Sequence, residues 1–287
     1  MYKVGLINFA LIIAPKGVYR NWVEKEIPEH IVEDINYRVI RWVSLPNKTQ
    51  EKQMRSVKDK FDGLTIFVMN VEAFSTAKGK RAGEWMGRAF GKHGLIAIDE
   101  STTIKNHRAK RTKNLIEVAS LFNYKRLLTG SPVTKSPMDI YSQAEFLRRG
   151  LLGHESYWGF QARYAVVQQR RMGSHSFQEI LGFRNLEELT SRIDMFSYRV
   201  LKKDCLDLPD KLYTVRHVKL TDEQYKMYNK IKHDALMLLD DGDLVTTPAV
   251  ITQLLRLQQI MSGHLKTDDG KIMTFKSARM DALMDIL

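Results

Sequence analysis

Asp99 and Glu100 are neighbouring carboxylates at the end of a short apolar run, Leu95-Ile96-Ala97-Ile98. A run this short, followed by Ser101, Thr102 and a basic segment, reads as a buried parallel strand. Its carboxyl end is where α/β sheets bind ligands. Two adjacent acids there suit phosphate chemistry, because one can hold Mg²⁺ while the other orients a water for in-line attack. The competing reading of the pair alone is a solvated turn after a strand. Three other stretches carry groups of matching chemistry. Leu11-Ile12-Ile13-Ala14-Pro15-Lys16 ends a strand in a loop that turns into a helix near Asn21-Trp22, which places backbone amides and a cation where a nucleic-acid phosphate can sit. Leu127-Leu128-Thr129-Gly130-Ser131-Pro132 ends another strand with hydroxyls on a tight loop, able to bond to a neighbouring carboxylate and sense what it binds. Lys105, Arg108, Lys110, Arg111 and Lys113 crowd the turn after Asp99-Glu100 with no acid among them, as a phosphate contact or as a solvated face.

The elements that must position these groups alternate along the chain. Apolar runs occur at Phe9–Ala14, Tyr37–Val43, Leu64–Met69, Leu95–Ile98 and Arg126–Thr129. Helix-like spacing lies between them at Val18–Glu26, Thr49–Phe61 and Thr112–Phe122. Strand, helix and strand at this rhythm predict a parallel sheet with helices on both faces. From Pro137 to about Arg199 the strand signal fades, and aromatics mix with charges, which predicts a mostly helical insertion with a mobile basic loop around Gln168–His175. A strand-like run at Tyr213–Leu220 follows Leu208-Pro209-Asp210. Thr221-Asp222-Glu223-Gln224 then has the form of a capping box, and helical patterns run to Asp240 and from Pro248 to Met261. Met261–Met284 reads as helix core. The amphipathic spacing of Met280, Leu283, Met284 and Leu287 predicts a helix running to the end of the sequence, as in a chain cut short.

Composition limits the class. The 287 residues contain 45 Lys+Arg against 33 Asp+Glu, a formal charge of +12. That balance points to a polyanionic partner, with nucleic acid first. The single cysteine, Cys205, excludes an intrachain disulfide and a cysteine-based zinc site; it reads as a small buried residue in a reducing, cytosolic setting. Trp22, Trp42 and Trp85 read as core. Met1–Pro15 is apolar but too short to span a bilayer and reads as a strand rather than a signal peptide, so no membrane partner is expected. The eight histidines show no metal-ligand spacing.

Taken together, the motifs resemble a family. Asp99–Asn106 is similar to the Asp-Glu box of superfamily-two helicases, in the form found in Swi/Snf-type ATPases. Leu127–Val133 resembles that family's third motif. Ala14–Trp22 resembles the motif after the nucleotide loop, and Phe67–Ser75 the segment after the third strand. Tyr198–Asp204 with Leu208–Lys211 is similar to the bridge between lobes, and Leu254–Ile260 with Ser277–Leu287 to the start of the second lobe. The resemblance implies an α/β fold: a partial first RecA-like ATPase lobe over residues 1–136, a helical insertion over 137–200, and the bridge with a truncated start of a second RecA-like lobe over 201–287. It implies ATP and Mg²⁺ as cofactors, duplex DNA as partner together with the remainder of a longer ATPase, and a location wherever the DNA lies, cytoplasmic, nucleoid or nuclear. Asp99 would hold Mg²⁺ and Glu100 would polarise the attacking water. Ser101, Thr102, Thr129, Gly130 and Ser131 would couple nucleotide state to DNA contact, while Pro15, Lys16, Asn70, Lys105 and Arg108 would lie along DNA. The implied activity is ATP-driven translocation on duplex DNA or remodelling of DNA-bound complexes. The alternatives are a strand-separating DNA or RNA helicase and a non-catalytic DNA-binding fragment. Two departures from the pattern stand out: Ser101-Thr102 replaces the Ala-His common among relatives, and no Gly-x4-Gly-Lys-Ser/Thr (Walker A) loop occurs in the sequence. The 287 residues alone are therefore expected not to turn over ATP.

Overall fold

The computed structural model describes residues 1–173, 175–205, 207, 209, 212–240, 247–267 and 269–287. The chain forms two compact bodies, Met1–Arg199 and Val200–Leu287.

The first body is built on five parallel strands, β1 (Phe9–Ala14), β2 (Tyr37–Arg41), β3 (Leu64–Asn70), β4 (Gly94–Asp99) and β5 (Tyr124–Leu128), in the order β2-β3-β1-β4-β5. The strands read as continuous apolar runs because both faces are covered. Phe9, Leu11 and Ile13 of β1 pack with Met86, Leu115, Val118 and Phe146 on one face. Ala10 packs with Ile66, Val68 and Ile27 on the other, with Tyr19, Trp22 and Val23 beside them. Leu11, Ile13, Ile96 and Ile98 have no exposed surface, and full burial of such side chains stabilises by about 1.5–3 kcal/mol each. The first face carries α3 (Lys48–Arg55), α4 (Ala77–Phe90), α5 (Lys110–Ala119) and α6 (Ile140–Leu147). On the second, the expected Val18–Glu26 helix is an α-turn α1 (Tyr19–Asn21), a π-helical stretch Trp22–Glu26 and α2 (Ile27–His30).

Helix α4 falls where no helix was expected. Its glycines at 79, 83 and 87, with Gly91 after its end, recur every four residues and so share one face. A Cβ at Gly83 would lie 2.8 Å from the Phe74 ring and one at Gly87 2.7 Å from Leu121 Cβ. The absent side chains let α4 press directly against Phe74 and α5. Thr76 starts the helix, its Oγ1 accepting from the Gly79 N–H at 3.1 Å.

Beyond β5 the first body continues with α6, α7 (Tyr157–Tyr164) and α8 (Leu186–Asp194), which bury Tyr141, Phe160, Tyr164 and Leu189 in a second cluster. The expected basic loop around Gln168–His175 is instead an antiparallel hairpin, β6 (Ala165–Met172) and β7 (His175–Phe183). Its Val, Ile and Phe residues favour extended backbone, and Gly173, at φ 61°, takes the left-handed conformation that the reversal needs.

In the second body, α9 (Lys202–Cys205) precedes α10 (Asp222–Asp240) and α11 (Thr247–Met261). The capping box at Thr221 is present in both directions: Gln224 N donates to Thr221 Oγ1 and Thr221 N donates to Gln224 Oε1, each at 3.2 Å. Gln224 is fully buried, and its Nε2 also donates to Ile260 O at 2.7 Å, joining α10 to α11. Four expectations are corrected here and in the first body. Tyr213–Leu220 joins no ladder, since alternation without a neighbouring strand leaves backbone groups unpaired. Met261–Met284 is interrupted by the hairpin β8 (His264–Lys266) and β9 (Ile272–Thr274) before α12 (Ala278–Met284). Cys205 is exposed rather than buried. Trp85 is 38% exposed and lies under the Lys58 ammonium rather than in the core. Leu208, Asp210 and Lys211 of the bridge motif lie outside the described residues. Among the described residues no helix is long and apolar enough to cross a membrane.

Candidate functional site

Register places the chemistry at one edge. Ala14 pairs with Asn70, Ile13 with Ile98, and Asp99 with Leu128. The segments that follow, Pro15-Lys16, Val71-Glu72, Glu100-Ser101 and Thr129-Gly130-Ser131, therefore leave the sheet at the same carboxyl edge. β1 and β4 are adjacent, yet β1 runs on toward β2 on one side and β4 toward β5 on the other. A topological switch of this kind opens the crevice in which such sheets take ligands.

Asp99 stands beside that switch with both oxygens oriented. Its Oδ2 accepts from Trp22 Nε1 at 2.8 Å and its Oδ1 from the Glu100 N–H at 3.0 Å. Each oxygen keeps a lone pair for a cation, so the carboxylate fits a Mg²⁺ ligand. Trp22, expected only as core, is the residue that holds Asp99 from the β1 side of the switch. Glu100 has φ 50° and ψ 62°. A left-handed conformation at a non-glycine residue costs on the order of 1–2 kcal/mol, and such strain gathers at functional sites. It ends β4 abruptly and leaves the exposed Glu100 carboxylate without a hydrogen-bond or ion-pair partner among the described residues.

The Ser101 substitution has a partner of its own. Ser101 is fully buried and its hydroxyl donates to Gln143 Oε1 at 2.5 Å. Gln143 on α6 is 3% exposed, and its Nε2 donates to Pro132 O at 2.7 Å and to Asp139 O at 2.8 Å. The amide thus ties the Asp-Glu segment to the loop that follows β5. In that loop Ser131 N donates to Thr129 Oγ1 at 3.3 Å and Ser131 Oγ donates to Val133 O at 2.9 Å. Gly130 is open, with nothing within 4 Å of a Cβ there. Thr102 sits half-buried in the Ser101–Ile104 turn. Gln143→Leu is expected to leave the Ser101 hydroxyl and the Pro132 carbonyl unpaired, at about 1–3 kcal/mol for each buried group. Adding Ser101→Ala should recover part of that loss, because an apolar pair has no bond to miss. Urea unfolding of the single and double variants measures both, and simple additivity would show that the bond is not coupled.

The remaining residues divide by surroundings. Asn70 is 7% exposed and its Nδ2 donates to Glu72 Oε2 at 3.1 Å, while Lys16 N reaches Glu72 Oε1 at 3.5 Å. Glu72, unmarked in the sequence reading, spans the two loops. Pro15 is half-buried and the Lys16 side chain is exposed. Lys105 is drawn onto Thr134 and lies 3.9 Å from Asp139. Burial pushes the Asp139 carboxyl up, but hydrogen bonds from Lys135 and Thr134 outweigh it and hold the pKa below the usual range. Arg108 is exposed, its guanidinium 5.4 Å from the Trp158 ring centroid. His107 stacks on Tyr157 at 3.5 Å; burial first, then Arg108 and Lys113, push its pKa down, which favours the neutral ring.

A doubly covered parallel sheet with acidic, basic and hydroxyl loops along its carboxyl edge is a RecA-like α/β lobe. More narrowly, the chain belongs to the SNF2-related domain family, which matches residues 3–265. It is 26% identical over 261 residues to the helicase-like transcription factor of Homo sapiens, covering 87% of this chain and 24% of that protein. It is 31% identical over 180 residues to the TATA-binding protein-associated factor MOT1 of Saccharomyces cerevisiae, covering 60% of this chain and 9% of that one. The putative ATP-dependent helicase/translocase YwqA of Bacillus subtilis is 22% identical over 284 residues, covering 96% of this chain and 28% of that protein. The chain spans about a quarter or less of the length of the first two of these relatives. Its fold is that of the Sulfolobus solfataricus SWI2/SNF2 ATPase core solved in complex with double-stranded DNA, with a TM-score of 0.50 and 24% identity over 99% of this chain and 54% of that one.

Proposed function

We propose that these residues form the metal-holding and DNA-facing part of an ATP-driven translocase on duplex DNA. The observation that carries the reading is the meeting of Asp99-Glu100, Pro15-Lys16, Asn70 and Thr129–Ser131 at one sheet edge, across the β1/β4 switch. MgATP, when bound, supplies the phosphoanhydride whose hydrolysis drives movement. Asp99, steadied by Trp22 and the Glu100 N–H, would hold the cation. Glu100, without a partner among the described residues, would orient the attacking water and take its hydrogen bond. The Gly-x4-Gly-Lys-Ser/Thr loop that cradles the phosphates is not among these residues, so they supply only the metal side of such a site. Lys16 and the amides around it would meet a DNA phosphate. Ser101 and Gln143 would carry a change at the carboxylates to the Thr129–Ser131 loop.

The experiment is duplex binding by the 1–287 chain as a function of salt. Neutralising phosphates releases counterions, and log K falls against log[salt] with a slope of about −0.9 per phosphate on duplex DNA. Sequence-independent binding that weakens steeply with salt is expected. Lys16→Ala and Arg108→Ala should each flatten the slope by about one unit. No duplex binding at low salt, or a slope indifferent to both substitutions, would remove the DNA reading.

A further inference from the structure

A cleft of about 740 Å³ lies away from the Asp99 carboxylate, between the Lys105–Arg108 turn, α7 and the β6–β7 hairpin. That volume is within the range of about 300–1,000 Å³ typical of ligand pockets. Its lining combines three kinds of group. Trp158 is 52% exposed and Phe177, across from it on the hairpin, is 46% exposed, so two large rings border the opening. Arg108 lies over the Trp158 ring at 5.4 Å and forms no ion pair with any described residue. Its neighbour Lys105, by contrast, is held by Thr134 and Asp139. Gln161 is only 7% exposed, yet its side-chain amide lines the cleft and makes no hydrogen bond to any described residue. The residue is largely covered, but its amide nitrogen and oxygen are not among the sealed-off unpartnered polar atoms, so they stay open to water and to a ligand that displaces it. Gln178 adds a second amide at the rim.

We propose that this cleft takes one unpaired base of a single-stranded nucleic acid. Unstacked bases are held by aromatic rings and guanidinium planes and are read by amides along their hydrogen-bonding edges. Trp158 and Phe177 supply the rings, Gln161 the amide, and Arg108 the cation for the adjoining phosphate. The inference rests on the nucleic-acid reading above and adds a second contact, specific for strand rather than duplex, outside the carboxyl edge of the sheet. A base paired inside a duplex cannot enter, because its edges are engaged and its faces are stacked.

The test uses the 1–287 chain and three labelled DNAs of equal charge per strand: a mixed-sequence single strand, the same strand with abasic sites throughout, and a blunt duplex. Fluorescence anisotropy at low salt should show the single strand bound about tenfold or more tighter than the abasic strand, as stacking of a base on an aromatic ring provides. Trp158→Ala should remove that preference and leave duplex affinity within about twofold, against the roughly tenfold that one stacked base is worth. Gln161→Leu fills the same space without the amide; it should keep the fold and reduce the preference. Equal binding of the intact and abasic strands, or a preference untouched by either variant, overturns the cleft assignment. Duplex binding without base preference would sink this inference alone. Base preference without duplex binding would sink the translocase reading and leave the cleft.

Discussion

Gly91→Ala is expected to destabilise the first body by about 3 kcal/mol or more, the upper end for forcing atoms into a packed interior. A Cβ at Gly91 would lie 1.9 Å from the Leu121 carbonyl oxygen and 2.9 Å from the carbonyl carbon. Both are backbone atoms, and the surrounding backbone has no slack: Asn123 N donates to Gly91 O at 2.9 Å, and Asn8 N donates to His93 O at 2.9 Å. Relief must come from displacing α4 or the turn before β5, and both are packed into the core through Met86 and Phe122. For a body of this size, each kcal/mol lowers the melting temperature by about 2–4 °C, so a drop of about 6–12 °C is expected. Gly17→Ala is the control, because nothing lies within 4 Å of its Cβ, and its change should stay within about 0.5 kcal/mol. A Gly91→Ala chain that melts with the Gly17→Ala chain would show that α4 does not approach β5 as described. Gly130 has the same open surroundings as Gly17. Loss of activity on Gly130→Ala without loss of stability would therefore place its importance in the Thr129–Ser131 loop's motion.

The strands were legible because a doubly covered parallel sheet writes itself as unbroken apolar runs, and β1 begins and ends at the expected residues. Asp99 and Glu100 stood out for the same reason: they close such a run. Helix α4 was not legible, because its packing face is made of glycines, which ordinarily signal loops, and helix stability there comes from close approach rather than from an apolar stripe. The β6–β7 hairpin was hidden by its charges, with Arg170 paired to Glu179 across the strands. Residues that orient the site were hidden by distance in sequence. Trp22 reaches Asp99 across 77 positions and Ser101 reaches Gln143 across 42, and neither pairing leaves a local pattern. A tryptophan near an apolar helix face reads as core until its N–H is seen to have a carboxylate partner. A glutamine inside an apolar stretch such as Ile140–Leu147 reads as a misplaced polar residue until its three partners are known. The repeat of four between Gly79 and Gly91 was the one signal available beforehand for α4.

Glu100→Gln is expected to cost about a hundredfold or more in ATP turnover, the loss that follows removal of a positioned general base, when these residues are assayed together with a phosphate-cradling loop. The substitution keeps side-chain size and the left-handed turn but removes the charge that orients water. Glu100 has no partner to lose among the described residues, so folding and nucleotide affinity should stay near wild type. Asp99→Asn should behave differently. Its oxygen can still accept from Trp22 Nε1 or from the Glu100 N–H, but the cation loses a full charge, so Mg²⁺-dependent nucleotide binding should weaken along with turnover. Trp22→Phe, which keeps the ring and removes the donor, should fall between them, raising the Mg²⁺ concentration needed for half-maximal binding while sparing DNA affinity. Equilibrium binding of nucleotide across a Mg²⁺ titration separates the three variants without relying on activity. Turnover by Glu100→Gln within about threefold of wild type, under roughly 1 kcal/mol in barrier, would mean that the attacking water is oriented by another group and that the strained turn at Glu100 serves the fold alone.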